Sequence, residues 1–434
     1  MVIQKMKKVV LAHILNPISH NKCEFYRNGA LILKENKDSN WIVEKIGTQE
    51  KLIDDIKGEV IDLSDKLIMP TFFDMHFHWV QDDVREMPKA NLLEWLDKYT
   101  FPTENKYKNK TYAKKKAKSF FKKLISTGTM GGAVYSSIHE HALEYAMDEA
   151  KGDFIIGNVQ MTINSPKFLT QKSTDAVKLT EKLSKKYQSR YALTPRFAIA
   201  TDPVTMKESA KIAKKNKSFI QTHLSENHDE INFVNSLYKN EMKGFEKVGS
   251  YTEIYKKCNI LGSKTIMGHG IHLSPSELKM LAGTRTAIAH CPTSNAPHKE
   301  LGLGSGLFDF KKVSRYKIPW ALASDIGGGP FLSMFDVMRS FVAQNLRAGV
   351  KATYTEALYR STLAGADILG LAKKKGNLSP KKEANFLCVK APRGIDKLKS
   401  ADEVMHKVIN PLKKQRDKYN SLCTDVFYQG QKVF

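Results

Sequence analysis

The stretch Ile68-Met69-Pro70-Thr71-Phe72-Phe73-Asp74-Met75-His76-Phe77-His78 begins as an apolar run and ends on two histidines separated by one residue. Side chains two apart on a strand leave the same face, so His76 and His78 can reach one cation together. Three later stretches repeat the design: Ile220-Gln221-Thr222-His223, Ile266-Met267-Gly268-His269 and Ala321-Leu322-Ala323-Ser324-Asp325 each place a possible metal ligand after an apolar run. Amphipathic segments follow the short runs, as in 227–237 after 218–223 and 274–281 after 264–269. That alternation predicts an α/β architecture of parallel strands with helical crossovers. In a barrel of such strands all four ends open onto one face, where active sites gather.

Outward from this zone, residues 1–69 read as short strands at 8–15, 29–33, 41–46 and 60–63, separated by turn-forming Asn, Gly and Asp. After Gly376 the segments 385–389 and 425–434 read as strands again. The expected organisation is therefore a barrel over 70–375 and a small bipartite β-sandwich domain from 1–69 and 376–434. The opening Lys5-Met6-Lys7-Lys8 leads into an apolar run broken by His13 and closed by Asn16-Pro17, which predicts a strand and not a leader peptide. No stretch approaches the roughly 20 consecutive apolar residues of a membrane-spanning helix.

With 434 residues, 41% hydrophobic and 26% charged, the chain can bury a large core, and global disorder is excluded. The 69 Lys and Arg against 45 Asp and Glu leave a net charge of +24, which raises nucleic acid or an anionic surface as a partner. The cations are mostly lysines, however, and 112–124 sets them at helical spacing opposite Phe120, Phe121 and Leu124, the pattern of a solvated helix face. Nucleic acid is not the expected partner. Five scattered cysteines without a CxxC pair argue against a disulfide framework or a Cys-based zinc site and fit a reducing cytoplasm.

The order HxH, His, His, Asp at strand ends resembles the amidohydrolase superfamily, whose (β/α)8 TIM-type barrel holds one zinc or iron ion with those ligands. More narrowly, several stretches are similar to the guanine deaminase family: Asn91-Leu92-Leu93-Glu94-Trp95-Leu96-Asp97-Lys98-Tyr99-Thr100-Phe101-Pro102-Thr103-Glu104, Pro195-Arg196-Phe197, His223-Leu224-Ser225-Glu226-Asn227, Ala289-His290-Cys291-Pro292-Thr293-Ser294-Asn295 and Ser324-Asp325-Ile326-Gly327-Gly328-Gly329. The resemblance implies hydrolytic deamination of guanine to xanthine and ammonia. Residue by residue, it implies His76, His78, His223, His269 and Asp325 as ligands of one Zn2+, a set that Fe2+ also accepts, and Glu226 as the proton shuttle. It further implies Gln81, Arg196 and Phe197 as the groups that read the purine, His290 as a lining residue, and a homodimer.

The chemistry asks for the same residue types. Neutral imidazoles leave a divalent cation enough Lewis acidity to draw the pKa of water from about 15.7 toward 7, and Asp325 can take the released proton. Glu226 can protonate the ring nitrogen and then the departing ammonia. The Arg196 fork matches the O6/N7 acceptor edge of guanine and meets a donor in adenine, while Gln81 can both donate and accept.

Departures from the family pattern fall at Trp79, Gln160, Thr162 and Ala200, and the segment 296–303 is several residues longer. They leave the metal chemistry intact and keep open a deaminase of another aminated ring, a pterin, triazine or adenosine-type substrate. The net charge of +24 keeps open a second alternative, a basic binding scaffold without turnover. Cys291 reads as a small buried residue, and His272 as a neighbour of the site or a surface residue and not a ligand.

Overall fold

A computed structural model describes residues 7–55 and 58–434; Lys5 and Met6 of the predicted opening lie outside them. The N-terminal strands are β1 (Lys7–Ser19), β2 (Lys22–Glu35), β3 (Trp41–Thr48) and β4 (Glu59–Pro70). The middle of the chain supplies β5 (Phe72–His78), β6 (Thr129–Ser136), β7 (Asp153–Gln160), β8 (Ala192–Pro195), β9 (Phe219–Leu224), β10 (Thr265–His269), β11 (Ala287–His290) and β12 (Trp320–Leu322). The C-terminal region adds β13 (Phe386–Lys390), β14 (Cys423–Tyr428) and β15 (Gln431–Lys432).

Strands β1 to β4 and β13 to β15 form one mixed sheet in the order β15-β14-β13-β4-β1-β2-β3. The two ends of the chain meet where β13 runs antiparallel to β4, with Leu387 opposite Met69. The expected sandwich is this single sheet curled on itself: Trp41 N–H donates to Gln429 O at 3.3 Å and Val43 N–H to Lys382 O at 2.7 Å. Inside the curl lie Val10, Ile14, Leu31, Trp41, Phe386 and Phe427, the last two with stacked rings 4.5 Å apart. Alternate residues of β1, β2, β3 and β13 supply much of this core, which is why the period-two pattern is legible there.

Strands β5 to β12 follow one another in sequence order around an eight-stranded sheet, and β7 through β12 pair in parallel. The ring is brought nearly to closure by Asp325 N–H donating to His76 O at 2.8 Å and His78 N–H to Ile326 O at 2.5 Å. Every residue of β5 and β6 is buried, as expected for parallel strands covered on both faces. Gly157 shows how tightly β7 and β8 approach: a Cβ there would lie 1.9 Å from Thr194 Oγ1 and 2.0 Å from Ala192 O.

The crossover helices start on well-formed caps. Asp202 accepts from Val204 N–H and Thr205 N–H ahead of the helix Pro203–Asn216, and Asn227 accepts from Glu230 N–H ahead of His228–Glu241. Ser274 and Glu277 close a reciprocal capping box at Pro275–Thr284. The Lys-rich helix Lys110–Ser126 turns Ala113, Ala117, Phe120, Phe121 and Leu124 inward and leaves Lys110, Lys114, Lys115 and Lys118 exposed. No helix among the described residues is long and apolar enough to cross a membrane.

The chain divides into two compact units, one drawing on both chain ends and Lys123–Gly131, the other comprising Met75–Lys122 and Gly132–Pro330. All the candidate site residues belong to the second.

Candidate active site

Four histidines and one aspartate converge at the C-terminal ends of the barrel strands. His76 Nε2 lies 3.3 Å and His78 Nε2 3.5 Å from Asp325 Oδ1, and His269 Nε2 lies 3.8 Å from Asp325 Oδ2. His78 Nε2 and His223 Nε2 face each other at 3.2 Å. The period-two geometry of β5 brings the His76 and His78 rings to one side, 5.2 Å apart. Ser225, His269 and Asp325 hold left-handed backbone torsions, with φ of 49°, 67° and 50°. Such torsions are uncommon away from glycine, cost about 1–3 kcal/mol each and gather where side chains must be aimed.

Fixed ring orientation suits the cluster to a cation. His223 Nδ1–H donates to Arg196 O at 2.6 Å and His269 Nδ1–H to Asn295 Oδ1 at 3.0 Å, so both rings present an Nε2 lone pair to the common point. Nitrogen and carboxylate donors converging in this way fit Zn2+ or Fe2+. Gly268 supplies the room: a Cβ there would lie 2.6 Å from His76 Cε1 and 2.9 Å from His76 Nδ1.

Burial, followed by the neighbouring imidazoles, holds His78 and His223 well below the ordinary histidine value, and burial lowers His76 against the pull of Asp325. These three rings are therefore neutral at pH 7, the form that binds metal. Burial opposes the charge on Asp325, yet the hydrogen bond with His76 and the charge of His269 prevail and hold its carboxyl low. His269 moves up, because Glu226 and Asp325 outweigh its burial. Glu226 moves up as well, mainly through burial.

Glu226 stands beside the cluster, with Oε2 3.5 Å from His269 Nε2. Ser305 Oγ–H donates to its Oε1 at 2.9 Å, and its own N–H donates to Glu230 Oε2 at 2.7 Å. Glu230, fully buried, is pushed up to about 7 by burial and then by Glu226. His272 bonds Ser305 O through Nε2 at 2.8 Å and packs its ring 4.0 Å from His228.

A cleft of about 410 Å³, open solvent at its mouth included, adjoins the cluster, within the roughly 300–1,000 Å³ of small-molecule sites. Gln81, Arg196, Phe197 and Glu226 line it, together with Leu92, Trp95 and Leu96 from the Leu-rich stretch. His290 is not on this wall; its buried ring stacks on Phe308 at 4.4 Å. Two further groups lie at the cluster without having been assigned to it from sequence. Cys291 is buried with its sulfur near His76, His269 and Asp325, and the Tyr135 ring sits 4.5 Å from His76 and 4.6 Å from His78. Neither carries a spacing signal that would single it out.

Glu104 was also missed. Its two oxygens accept from Arg196 Nη1 at 2.9 and 2.7 Å, and Oε1 accepts from Gln81 Nε2 at 2.8 Å, all three residues being buried.

The departures from the family pattern point elsewhere. Trp79 packs edge-on against Tyr107, 4.9 Å between centroids. Gln160 donates to Thr180 Oγ1 and Ser209 Oγ at 2.8 Å, and Thr162 Oγ–H donates to Asp202 Oδ2 at 2.6 Å. None of these side chains lines the cleft. In the longer segment only Leu303 does, anchored by its N–H to Ser294 O at 2.6 Å.

The sequence profile of the Amidohydrolase family matches residues 67–420. Guanine deaminase of Escherichia coli (strain K12) is 32% identical over 371 residues, covering 84% of this chain and 81% of that protein. Guanine deaminase of Mus musculus is 33% identical over 386 residues, covering 83% and 81%. The crystal structure of guanine deaminase from C. acetobutylicum with bound guanine in the active site superposes with a TM-score of 0.84 at 26% identity, covering 99% of this chain and all of that one.

Proposed function

The chain belongs to the amidohydrolase family, and from that premise we propose that it deaminates guanine hydrolytically, giving xanthine and ammonia. The observation that carries this reading is a cleft in which the His and Asp cluster, Glu226 and the Arg196–Phe197 pair share one wall system. His76, His78, His223, His269 and Asp325 would hold one divalent cation, zinc in the first instance. When bound, the cation supplies Lewis acidity at the reacting centre.

The chain's own groups do the rest. The Phe197 face and the Arg196 donors orient the ring, the latter against its O6/N7 edge. Asp325, held low, is a carboxylate able to accept a proton from water at Oδ1 or Oδ2. Glu226, whose carboxyl burial moves up, stands beside the cluster where it can hand a proton to the ring nitrogen. Of the two protons of the consumed water, one ends on the ring and the other leaves with ammonia, so Glu226 must give and regain a proton within one turnover. The burial of Glu226 and the apolar Leu92, Trp95 and Leu96 limit competing water.

The test is ammonia release from guanine, adenosine, a pterin and a triazine, alongside metal analysis of the purified protein. Preference for guanine with about one zinc per chain supports the reading; turnover of another ring in its place, or none with metal bound, rejects it. The cradle at Gly268 gives a second check. Gly268→Ala should push the His76 ring aside and weaken metal affinity by about 10–100-fold, read as metal retained after dialysis, with the circular dichroism spectrum unchanged.

A further inference from the structure

Resting on the guanine reading, we propose that Glu104 determines specificity as a positioning residue: it holds Arg196 as a donor fork and turns the Gln81 carbonyl toward the ligand. The cleft then accepts a ring that offers an acceptor to Arg196 and an N–H to Gln81.

Glu104 sits in the short helix Phe101–Lys106 and is 1% exposed. Both its oxygens are taken up by Arg196 Nη1, and Oε1 also receives Gln81 Nε2. A carboxylate only accepts hydrogen bonds, so the Gln81 amide has to direct its NH2 group at Glu104, which leaves its oxygen for the cleft. That chemical requirement fixes an orientation that the shape of the amide alone would leave open. Arg196 spends one nitrogen on the pair; among the described residues its Nη2 and Nε make no hydrogen bond. The Phe101 ring, 5.2 Å from the guanidinium carbon, holds the plane of the fork.

The two readers are thus set before the ligand arrives, and little freedom is lost on binding. A 6-oxo purine presents an acceptor to the fork. A 6-amino purine presents a donor to it and leaves buried donors unmatched, the arrangement that gives strong discrimination. Without the Glu104 carboxylate, the fork can swing and the Gln81 amide can turn over.

The experiment compares guanine with 2-aminopurine, which carries the same 2-amino group and no 6-oxo oxygen. In Glu104→Gln, kcat/KM for guanine should fall roughly ten- to hundredfold, mainly through KM, while that for 2-aminopurine changes little, so the preference collapses. Equal losses on both substrates, as from a weakened fold or lost metal, overturn the proposal, as does an unchanged KM for guanine. Glu104→Asp keeps the charge against Arg196 but shortens the reach to Gln81. It should give an intermediate loss of preference, and it decides the matter if Gln at this position prevents folding. Absence of guanine turnover in the unmodified protein overturns the functional reading and this proposal with it, whereas normal turnover with equal losses in the variants overturns the role of Glu104 alone.

Discussion

Glu226→Gln is expected to lower kcat for guanine by about 10²–10⁴-fold and to leave the metal content and the thermal midpoint nearly unchanged. The amide fills the same volume and can still accept from Ser305 Oγ–H, the contact now made at 2.9 Å. What it cannot do is carry a proton between the ring nitrogen and the departing amine. Because Glu226 is 2% exposed, bulk water is poorly placed to substitute for it. A variant that retains a tenth or more of the parent rate would remove Glu226 from the role of shuttle. The comparison has to be made at equal metal occupancy, since Glu226 lies 3.5 Å from His269.

Stripping the metal with a chelator should abolish turnover and also destabilise the barrel, and zinc or iron should restore both. A ligand present at a hundredfold excess over its Kd stabilises the folded state by about 2.7 kcal/mol, readable as a shift of the thermal midpoint that grows with metal concentration. The direction follows from the geometry. With His223 and His269 locked as Nδ1–H donors, His223 Nε2 faces His78 Nε2 at 3.2 Å, and His78 and His269 Nε2 lie 3.5 and 3.8 Å from Asp325, an arrangement that a cation relieves. Activity that survives complete removal, or a midpoint indifferent to zinc and iron alike, would sink the metal reading.

Much of this was legible in the sequence because the signals are local. The spacing of His76 and His78 survives as two rings on one side of β5, and each apolar run ending in His or Asp becomes a strand end at one mouth of the barrel. The curled β domain was legible from alternation at both chain ends, although the sequence could not say that its two layers are one continuous sheet. What escaped was non-local. Glu104 lies within a stretch that had drawn attention, but its partners Gln81 and Arg196 are 23 and 92 residues away, and no periodicity links them. Cys291 and Tyr135 come to the cluster by packing, which leaves no trace in spacing.

Orientation was the other blind spot. Trp79, Gln160 and Thr162 stand as candidates for altered substrate contacts because they depart from the family pattern. In the fold they turn into apolar or hydrogen-bonded surroundings of their own, with Gln160 bonded to Thr180 and Ser209 and Thr162 to Asp202. Alternation along a strand tells which residues share a side but not which side becomes the cleft. The lysine-rich helix shows the solvated face its spacing predicts, with Lys110, Lys114, Lys115 and Lys118 exposed over a buried row of alanines, phenylalanines and leucine.

The left-handed torsions at Ser225, His269 and Asp325 bear on any attempt to transplant this centre. An engineer who copies the five side chains onto the strand ends of another barrel, while keeping that barrel's relaxed loops, would aim His269 and Asp325 in the wrong directions. The graft has to carry the bent peptides as well, and the recipient scaffold must be stable enough to tolerate about 1–3 kcal/mol of tension at each of them.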